Sequence, residues 1–184
     1  MKARTALIGV ALVAILSGCA AMAPNYNTSP ASAQKLQAAK VQPAKVGDFT
    51  ADKNAANTSI ALRASTMEPA QGTYAKYLAD AIKNELELVK LYSAASTTEI
   101  SGVLIRNEMN TGLAATGEGL MEAKFVVRRD GAVRFDKTKQ AHIEWDSNFL
   151  GAIAIPRAQR EYPRLVQALV AELFSDSDFV AALK

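Results

Sequence analysis

The sequence of 184 residues contains one cysteine, Cys19, and one histidine, His142. One cysteine cannot form a disulfide within its own chain, so the fold must be stabilised by packing alone. One histidine cannot build a zinc site that needs several. His142 lies on the polar face of a predicted strand, two residues from Glu144, and we interpret it as a surface residue without a substrate proton in reach. No G-x-S-x-G motif presents an activated serine. We therefore expect no metal, no cofactor and no catalytic site.

The chain also lacks the charge pattern of a nucleic-acid-binding protein. The formal net charge is +3, and removal of Lys2 and Arg4 with the segment described below lowers it to +1. No basic tail or stripe is present that could follow a phosphate backbone. We expect no nucleic-acid partner.

The first nineteen residues have the layout of a secretory signal that ends in a lipobox. The apolar run Ala6–Leu16 is too short to span a bilayer core, which takes about 20 apolar residues. The sequence Leu16-Ser17-Gly18-Cys19 resembles the lipobox of bacterial lipoproteins. The resemblance implies a signal peptide over residues 1–18, cleavage between Gly18 and Cys19, a diacylglyceryl group on the Cys19 thiol and acylation of the new amine. Two or more acyl chains hold a protein stably on a membrane where one does not.

An ordinary signal peptide is the alternative, with a cleavage site of the A-x-A type around Ala20–Ala23 and Cys19 left as a buried free thiol. We favour the lipobox, because a basic start, an apolar run, the L-S-G-C sequence and a single cysteine coincide. In lipoproteins, an Asp after the cysteine favours retention in the inner membrane. Ala20 stands there in this chain, so we expect the outer membrane, with the domain in the periplasm.

Residues 19–44 are predicted to be a lipidated flexible tether. They are rich in small and polar residues, include Pro24 and Pro30, and show no sustained hydrophobic period, which is typical of a solvated linker. A weak helix over Ala33–Lys40 is compatible with the pattern. Residues 45–184 are long enough for one domain with a hydrophobic core and too short for two.

Hydrophobic periodicity in residues 45–184 predicts an α+β fold. Apolar residues at helical spacing predict one helix near residues 73–92 and a second near 163–174, with Pro163 in its first turn. Alternating residues predict a hairpin at Asp130-Gly131 and five strands, at residues 45–50, 59–63, 99–109, 120–130 and 133–145. Antiparallel strands with one apolar face, covered by amphipathic helices, predict a two-layer sandwich with a mostly antiparallel sheet.

Two short motifs are assigned to structure rather than to ligands. Asn110–Gly119 carries three glycines but lacks the lysine and the strand-to-helix context of a phosphate loop, so we expect the mobile connection of a long hairpin. Ser175–Asp178 lacks the alternating ligands and the distal glutamate of a calcium loop. We expect Ser177 or Asp178 to cap a short last helix instead.

The segment Trp145–Pro156 is unusually apolar for the connection between a strand and a helix, and Pro156 is expected to open a separate short turn. Two interpretations remain open: a crossover buried under the second helix, or an exposed patch that docks a partner. The residues that would form the docking patch are Trp145, Phe149, Leu150, Ile153 and Ile155.

The segments YAKYLADAIKNEL, ISGVLIRNEMNTG, FVVRRDG and AIPRA with YPRLVQ resemble small proteobacterial outer-membrane lipoproteins. More broadly, the lipobox, the size and the order of elements are similar to α+β lipoproteins that assist ABC-type lipid transporters and to lipoprotein activators of penicillin-binding proteins. These resemblances bring no active-site residue. They imply a non-catalytic lipoprotein that binds an envelope protein, as a lipid-transport auxiliary or, alternatively, as a cell-wall synthase activator. A lipid or small-ligand carrier and a hydrolase remain further alternatives.

Overall fold

The computed structural model describes residues 20–113 and 115–184, so Cys19 and the predicted signal peptide lie outside the described residues. The described chain forms seven strands and four helices. In chain order these are β1 Ala20–Met22, α1 Pro30–Ala38, β2 Lys45–Ala51, β3 Ile60–Leu62, β4 Ser65–Glu68, α2 Tyr74–Leu88, β5 Thr98–Asn110, β6 Thr116–Arg129, β7 Ala132–Asp146, α3 Gly151–Phe174 and α4 Ser177–Ala182.

The strands form a large sheet and a small one. The large sheet has the order β2-β5-β6-β7, in which β5, β6 and β7 are antiparallel neighbours and β2 runs parallel to β5. A parallel pair needs a long connection, which β3, β4 and α2 supply here. The small sheet has the order β1-β4-β3, with β1 parallel and β3 antiparallel to β4. The predicted α+β class is confirmed, and both sheets are mixed rather than purely antiparallel.

The hairpin between β6 and β7 turns at the predicted position. Asp130 and Gly131 have φ angles of 51° and 80°. A two-residue turn with both central residues in the left-handed region matches the right-handed twist of the strands, and Asp-Gly tolerates this conformation well. The turn therefore sets the register that directs one face of β7 toward the helices.

Helix α2 confirms the first predicted helix. Thr73 caps its start, where the hydroxyl oxygen accepts a 3.2 Å hydrogen bond from the Lys76 N–H. The apolar stripe expected from helical spacing is buried, with 1% exposure or less at Tyr74, Tyr77, Leu78, Ala81, Ile82 and Leu86. This stripe anchors α2 to the core.

Helix α3 is a single helix of 24 residues that passes through Pro156 and Pro163. The predicted short turn at Pro156 and the helix start at Pro163 are therefore wrong. An interior proline removes a backbone hydrogen bond and costs about 3 kcal/mol. Here the apolar stripe continues across both prolines, with 0% exposure at Ala154, Ala158, Tyr162, Leu165 and Leu169. Burial of this continuous stripe offsets the lost hydrogen bonds.

Aromatic side chains fill the layer between the helices and the large sheet. The Tyr162 ring lies 5.0 Å from the Tyr74 ring and 5.3 Å from the Tyr77 ring, measured between centroids. Its hydroxyl donates a 3.2 Å hydrogen bond to Asn107 Oδ1 on β5, and all three tyrosines are at most 1% exposed. Phe125 of β6 is also fully buried. The interior is thus occupied by the protein's own side chains.

Residues 20–44 are part of the fold, which corrects the predicted tether. They form β1 and α1, and α1 contacts α2 and α3. Ala33, Leu36 and Ala44 have 0% exposure. The burial involves a few, mostly small side chains at irregular spacing, so the sequence carries no hydrophobic period there. Residues 20–44 and 45–184 therefore fold together as one unit.

Candidate functional site

The polar residues singled out in the sequence lie apart on the surface. The His142 side chain is 45% exposed, and its Nε2 lies 3.5 Å from Glu118 Oε2 across the β6–β7 pair. Within residues 20–113 and 115–184, no three His, Cys, Asp or Glu side chains are grouped so that they could hold a metal ion. His142 is thus placed as a surface residue, as predicted.

The sequence contains one spacing of the S-x-x-K type, Ser32 to Lys35. In α1 these two side chains do not form a nucleophile and base. Lys35 Nζ donates a 2.8 Å hydrogen bond to Ser175 Oγ, and Ser32 Oγ lies 3.4 Å from Ser29 Oγ. The motif therefore joins the end of α3 to α1 rather than activating a serine.

The acidic residues near the C-terminus have a structural role. Asp176 caps α4, in place of the expected Ser177 or Asp178, and accepts hydrogen bonds from the N–H groups of Asp178 at 2.7 Å and Phe179 at 3.3 Å. Lys139 Nζ lies 2.5 Å from Asp176 Oδ2. The hydrogen bond from Lys139 and those from the helix N–H groups hold the pKa of Asp176 well below its usual range. The carboxylate thus fastens α4 to β7.

A cluster of exposed apolar side chains lies on two neighbouring loops and the first turn of α3. Leu113 is 84% exposed, Phe149 73%, Leu150 49% and Ile153 49%. Leu113 belongs to the connection between β5 and β6, and the other three follow β7. We call these four residues the apolar end. Exposed apolar side chains grouped at one place on a surface suggest an interaction site.

The structure divides the predicted docking patch. Phe149, Leu150 and Ile153 are exposed, which contradicts a buried crossover. Trp145 is 6% exposed and part of the core, and Ile155 is half-buried and packs against the core. Trp145 and Ile155 are therefore corrections to the predicted patch: Trp145 points inward from β7, and Ile155 adjoins the buried stripe of α3.

Arg63 holds the two loops of the apolar end together. It lies in the turn between β3 and β4, with a φ of 57°. Its Nε donates a 2.9 Å hydrogen bond to Thr111 Oγ1, and its Nη1 donates a 2.8 Å hydrogen bond to the Phe149 carbonyl. Its Nη2 donates to the carbonyls of Asn148, at 2.9 Å, and Gly112. One guanidinium, with five donors in a fixed fork, thereby satisfies acceptors on both loops.

Ser147 links the same two loops directly. Its N–H donates a 2.5 Å hydrogen bond to the Ala115 carbonyl, and its hydroxyl donates to the Thr111 carbonyl. The β5–β6 connection spans only residues 111–115, so the mobile loop predicted over 110–119 is shorter than expected. The backbones that carry the apolar end are therefore held in place by hydrogen bonds.

Gly117 lies inside β6 rather than in the loop. A Cβ atom at this position would lie 2.6 Å from the indole of Trp145. The glycine therefore leaves the room in which the Trp145 ring packs. The glycines of this stretch serve strand packing as well as turn formation.

The first described residue also lies near the apolar end. Ala20 pairs with Thr66, which is the second residue of β4 and follows closely after the Arg63 turn. Strand spacings of about 3.3 Å along and 4.8 Å across a sheet place Ala20 about 10 Å from that turn. Farther along the segment, the Asn27 carbonyl accepts a 2.6 Å hydrogen bond from Gln167 Nε2 of α3. The chain thus enters the domain at the apolar end.

A second candidate surface is the free edge of the large sheet. In the part of the chain that the structure describes, β7 pairs with β6 alone along its 15 residues. Its outward side chains are polar and exposed: Asp136, Thr138, Gln140, His142 and Glu144. A long edge with unpaired backbone groups can accept a strand of a partner.

Sequence reasoning missed Leu113 and Arg63 as members of the apolar end. Leu113 is a large apolar residue in a glycine-rich connection, a signal that could have identified it. Arg63 carried no such signal, because its partners lie 48 to 86 residues away along the chain.

None of the helices in the described residues is long and apolar enough to cross a membrane.

No family model and no curated protein matches this sequence. Similar folds occur among solved structures. The crystal structure of protein XCC0632 from Xanthomonas campestris, of the family DUF330, matches with a TM-score of 0.58 at 12% identity, over 89% of this chain and 96% of that one. A candidate lipoprotein from Caulobacter crescentus CB15 gives a TM-score of 0.46 at 11% identity, over 82% and 93%, too weak a likeness to carry an argument. The first likeness shows a shared fold.

Proposed function

We propose that this protein is a non-catalytic lipoprotein, anchored to the outer membrane through Cys19, that binds an envelope protein as an auxiliary component of a lipid transport system. The observation that carries the proposal is the free edge of β7, a long polar strand with one unpaired side. This edge offers backbone hydrogen bonds to a partner, and its alternating side chains offer selectivity.

The packed interior supports binding of a partner at the surface rather than carriage of a ligand inside the domain. A carrier of lipid or a small ligand needs a cavity between sheet and helices. Tyr74, Tyr77, Tyr162 and Phe125 occupy that layer with at most 1% exposure. A ligand could enter only by displacing these rings, so the geometry favours binding at the surface.

The placement of the polar residues supports a non-catalytic role. His142 pairs with Glu118, and Lys35 pairs with Ser175 rather than with Ser32. The depressed pKa of Asp176 belongs to a helix cap. The partners of these groups are structural contacts, and none of the three groups forms a nucleophile–base pair.

The choice of a lipid transporter over a cell-wall synthase rests on the resemblance of the sequence to lipoproteins that assist transporters. A photo-cross-linking amino acid at Gln140, on the β7 edge, tests this choice in intact cells. Asp80, on the exposed side of α2, is the matched control position. We expect a cross-link from Gln140, and none from Asp80, to a component of a lipid transporter identified by mass spectrometry.

The other results decide between the alternatives. A cross-link from Gln140 to a penicillin-binding protein would support the synthase activator. Equal cross-linking from both positions, or lipid as the sole adduct of Gln140, would contradict a partner at the β7 edge. Lipid that copurifies in a fixed ratio would favour the carrier.

A further inference from the structure

We propose that the apolar end rests in the surface of the bilayer to which Cys19 is anchored, with Leu113, Phe149, Leu150 and Ile153 among the lipid acyl chains. The inference rests on the lipid anchor of the proposed function and is independent of the protein partner. It assigns an orientation: the Arg63 turn faces the membrane, and the β6–β7 hairpin points away from it.

The length of chain outside the described residues leaves the domain no freedom to move away from the bilayer. Cys19 directly precedes Ala20, which is hydrogen-bonded into the small sheet opposite Thr66. One residue spans at most about 3.6 Å. The end of the domain that contains Ala20 must therefore lie at the membrane surface once Cys19 carries acyl chains.

The Arg63 turn links this entry point to the apolar end. Arg63 lies about 10 Å from Ala20, by the strand spacings given above, and its guanidinium binds both loops that carry the exposed side chains. The chain then leads away from this end: Asn27 meets Gln167, about 24 Å along α3 from Gly151 at a rise of 1.5 Å per residue. Anchor and apolar side chains thus share one end of the molecule.

Several backbone groups of the loops are bonded internally, which suits a medium with little water. Arg63 satisfies the carbonyls of Asn148 and Phe149, and Asn148 Oδ1 accepts a 2.8 Å hydrogen bond from the Leu150 N–H. Unsatisfied backbone groups are costly in hydrocarbon. These contacts lower that cost where the loop enters the bilayer surface.

The first turns of α3 place two arginines behind the exposed Ile153, farther from the proposed membrane surface. Ile153, Arg157 and Arg160 share one side of α3 at i, i+4 and i+7. Arg157 is 41% exposed and lies 3.5 Å from the exposed carboxylate of Asp146. Arginines above an apolar tip can reach lipid phosphates while their stems cover apolar surface.

A lipid-borne quencher tests the orientation in the full-length lipidated protein. Phe149→Cys supplies a single free thiol, because the Cys19 sulfur is acylated in that protein. Val133→Cys is the matched control, since Val133 is an apolar residue of 53% exposure at the opposite end of β7. Both variants carry an environment-sensitive fluorophore and are reconstituted into vesicles of phosphatidylethanolamine and phosphatidylglycerol that contain brominated lipid.

We expect quenching of the label at position 149 to be several-fold stronger than at position 133, with unchanged thermal melts. Equal quenching in protein whose intact mass shows the acyl chains would overturn the orientation and leave the proposed function intact. A label at 149 that is exposed on vesicles but shielded in native envelopes would identify a protein on the apolar end and would also overturn the inference. An unmodified Cys19 would remove the anchor itself and would overturn both proposals.

Discussion

The Tyr26 hydroxyl donates a 2.6 Å hydrogen bond to Oε1 of Glu85, a carboxylate in α2 with 0% exposure. The Ser29 N–H donates to the same oxygen at 2.6 Å. Oε2 of Glu85 has no hydrogen-bond partner in the part of the chain that the structure describes. A buried acidic group therefore holds the N-terminal segment of the described chain onto the domain.

This arrangement predicts that stability depends on the ionisation of Glu85. Burial raises the pKa of Glu85 above its usual value of 4.5, against the opposing hydrogen bonds from Tyr26 and Ser29. A group whose pKa is raised by folding stabilises the protein below its unfolded pKa, and that contribution is lost as the pH rises through the folded pKa. The contribution of Glu85 to the unfolding free energy of the wild type should therefore fall as the pH rises above about 4.5.

Glu85→Gln keeps an acceptor for Tyr26 and cannot ionise, so this component of the pH dependence should vanish. Urea denaturation across the pH range measures it. Tyr26→Phe should cost about 1.5–3 kcal/mol at neutral pH, because a buried carboxylate loses a donor. Parallel pH profiles for the wild type and Glu85→Gln would show that Glu85 does not couple to folding.

Residues 20–44 should contribute substantially to stability. Leu36→Ala removes a side chain of 0% exposure and should cost about 2–5 kcal/mol. Leu88→Ala, at a position 48% exposed near the end of α2, is the control and should cost less than about 1 kcal/mol. A chain that starts at Lys45 should melt well below the full mature chain in circular dichroism. Identical melting temperatures would instead support the interpretation of residues 19–44 as a flexible tether.

Phe149→Ala should leave stability almost unchanged, because the ring is 73% exposed. We expect a cost within about 0.5 kcal/mol, as for other surface substitutions. Phe125→Ala, in the core at 0% exposure, is the comparison and should cost about 3–5 kcal/mol. Thermal melts of both variants measure the difference, and a large loss of stability in Phe149→Ala would assign this residue to the core.

Cys19→Ala should abolish membrane attachment, because no other residue of the chain supplies a thiol for acylation. Membrane fractionation and intact mass of the mature protein measure the effect. The wild type should carry the mass of the acyl chains on a protein that begins at Cys19. A variant with the mass and membrane fraction of the wild type would exclude lipidation at this residue.

The sequence predicted the elements whose side chains repeat regularly. The stripe of α2, the three long strands β5 to β7 and the Asp130-Gly131 turn were all readable, because local spacing decides which face is apolar and which residues tolerate a tight turn. It predicted the unusual character of Phe149, Leu150 and Ile153 for the same reason: apolar residues stand where a connection is usually polar. Their exposure could not be predicted from the sequence, since an apolar residue in a connection can pack inward or outward.

The sequence by itself determined the α+β class, the single thiol and the long antiparallel strands, because these depend on residue type and short-range spacing. Only the tertiary structure decided that residues 20–44 belong to the domain, that α3 continues through two prolines and that Arg63 joins two distant loops. Each of these depends on contacts between residues far apart in the chain. Burial against α2 and α3 outweighs the weak local preferences of the N-terminal segment and the local cost of the prolines, and no local pattern records that balance.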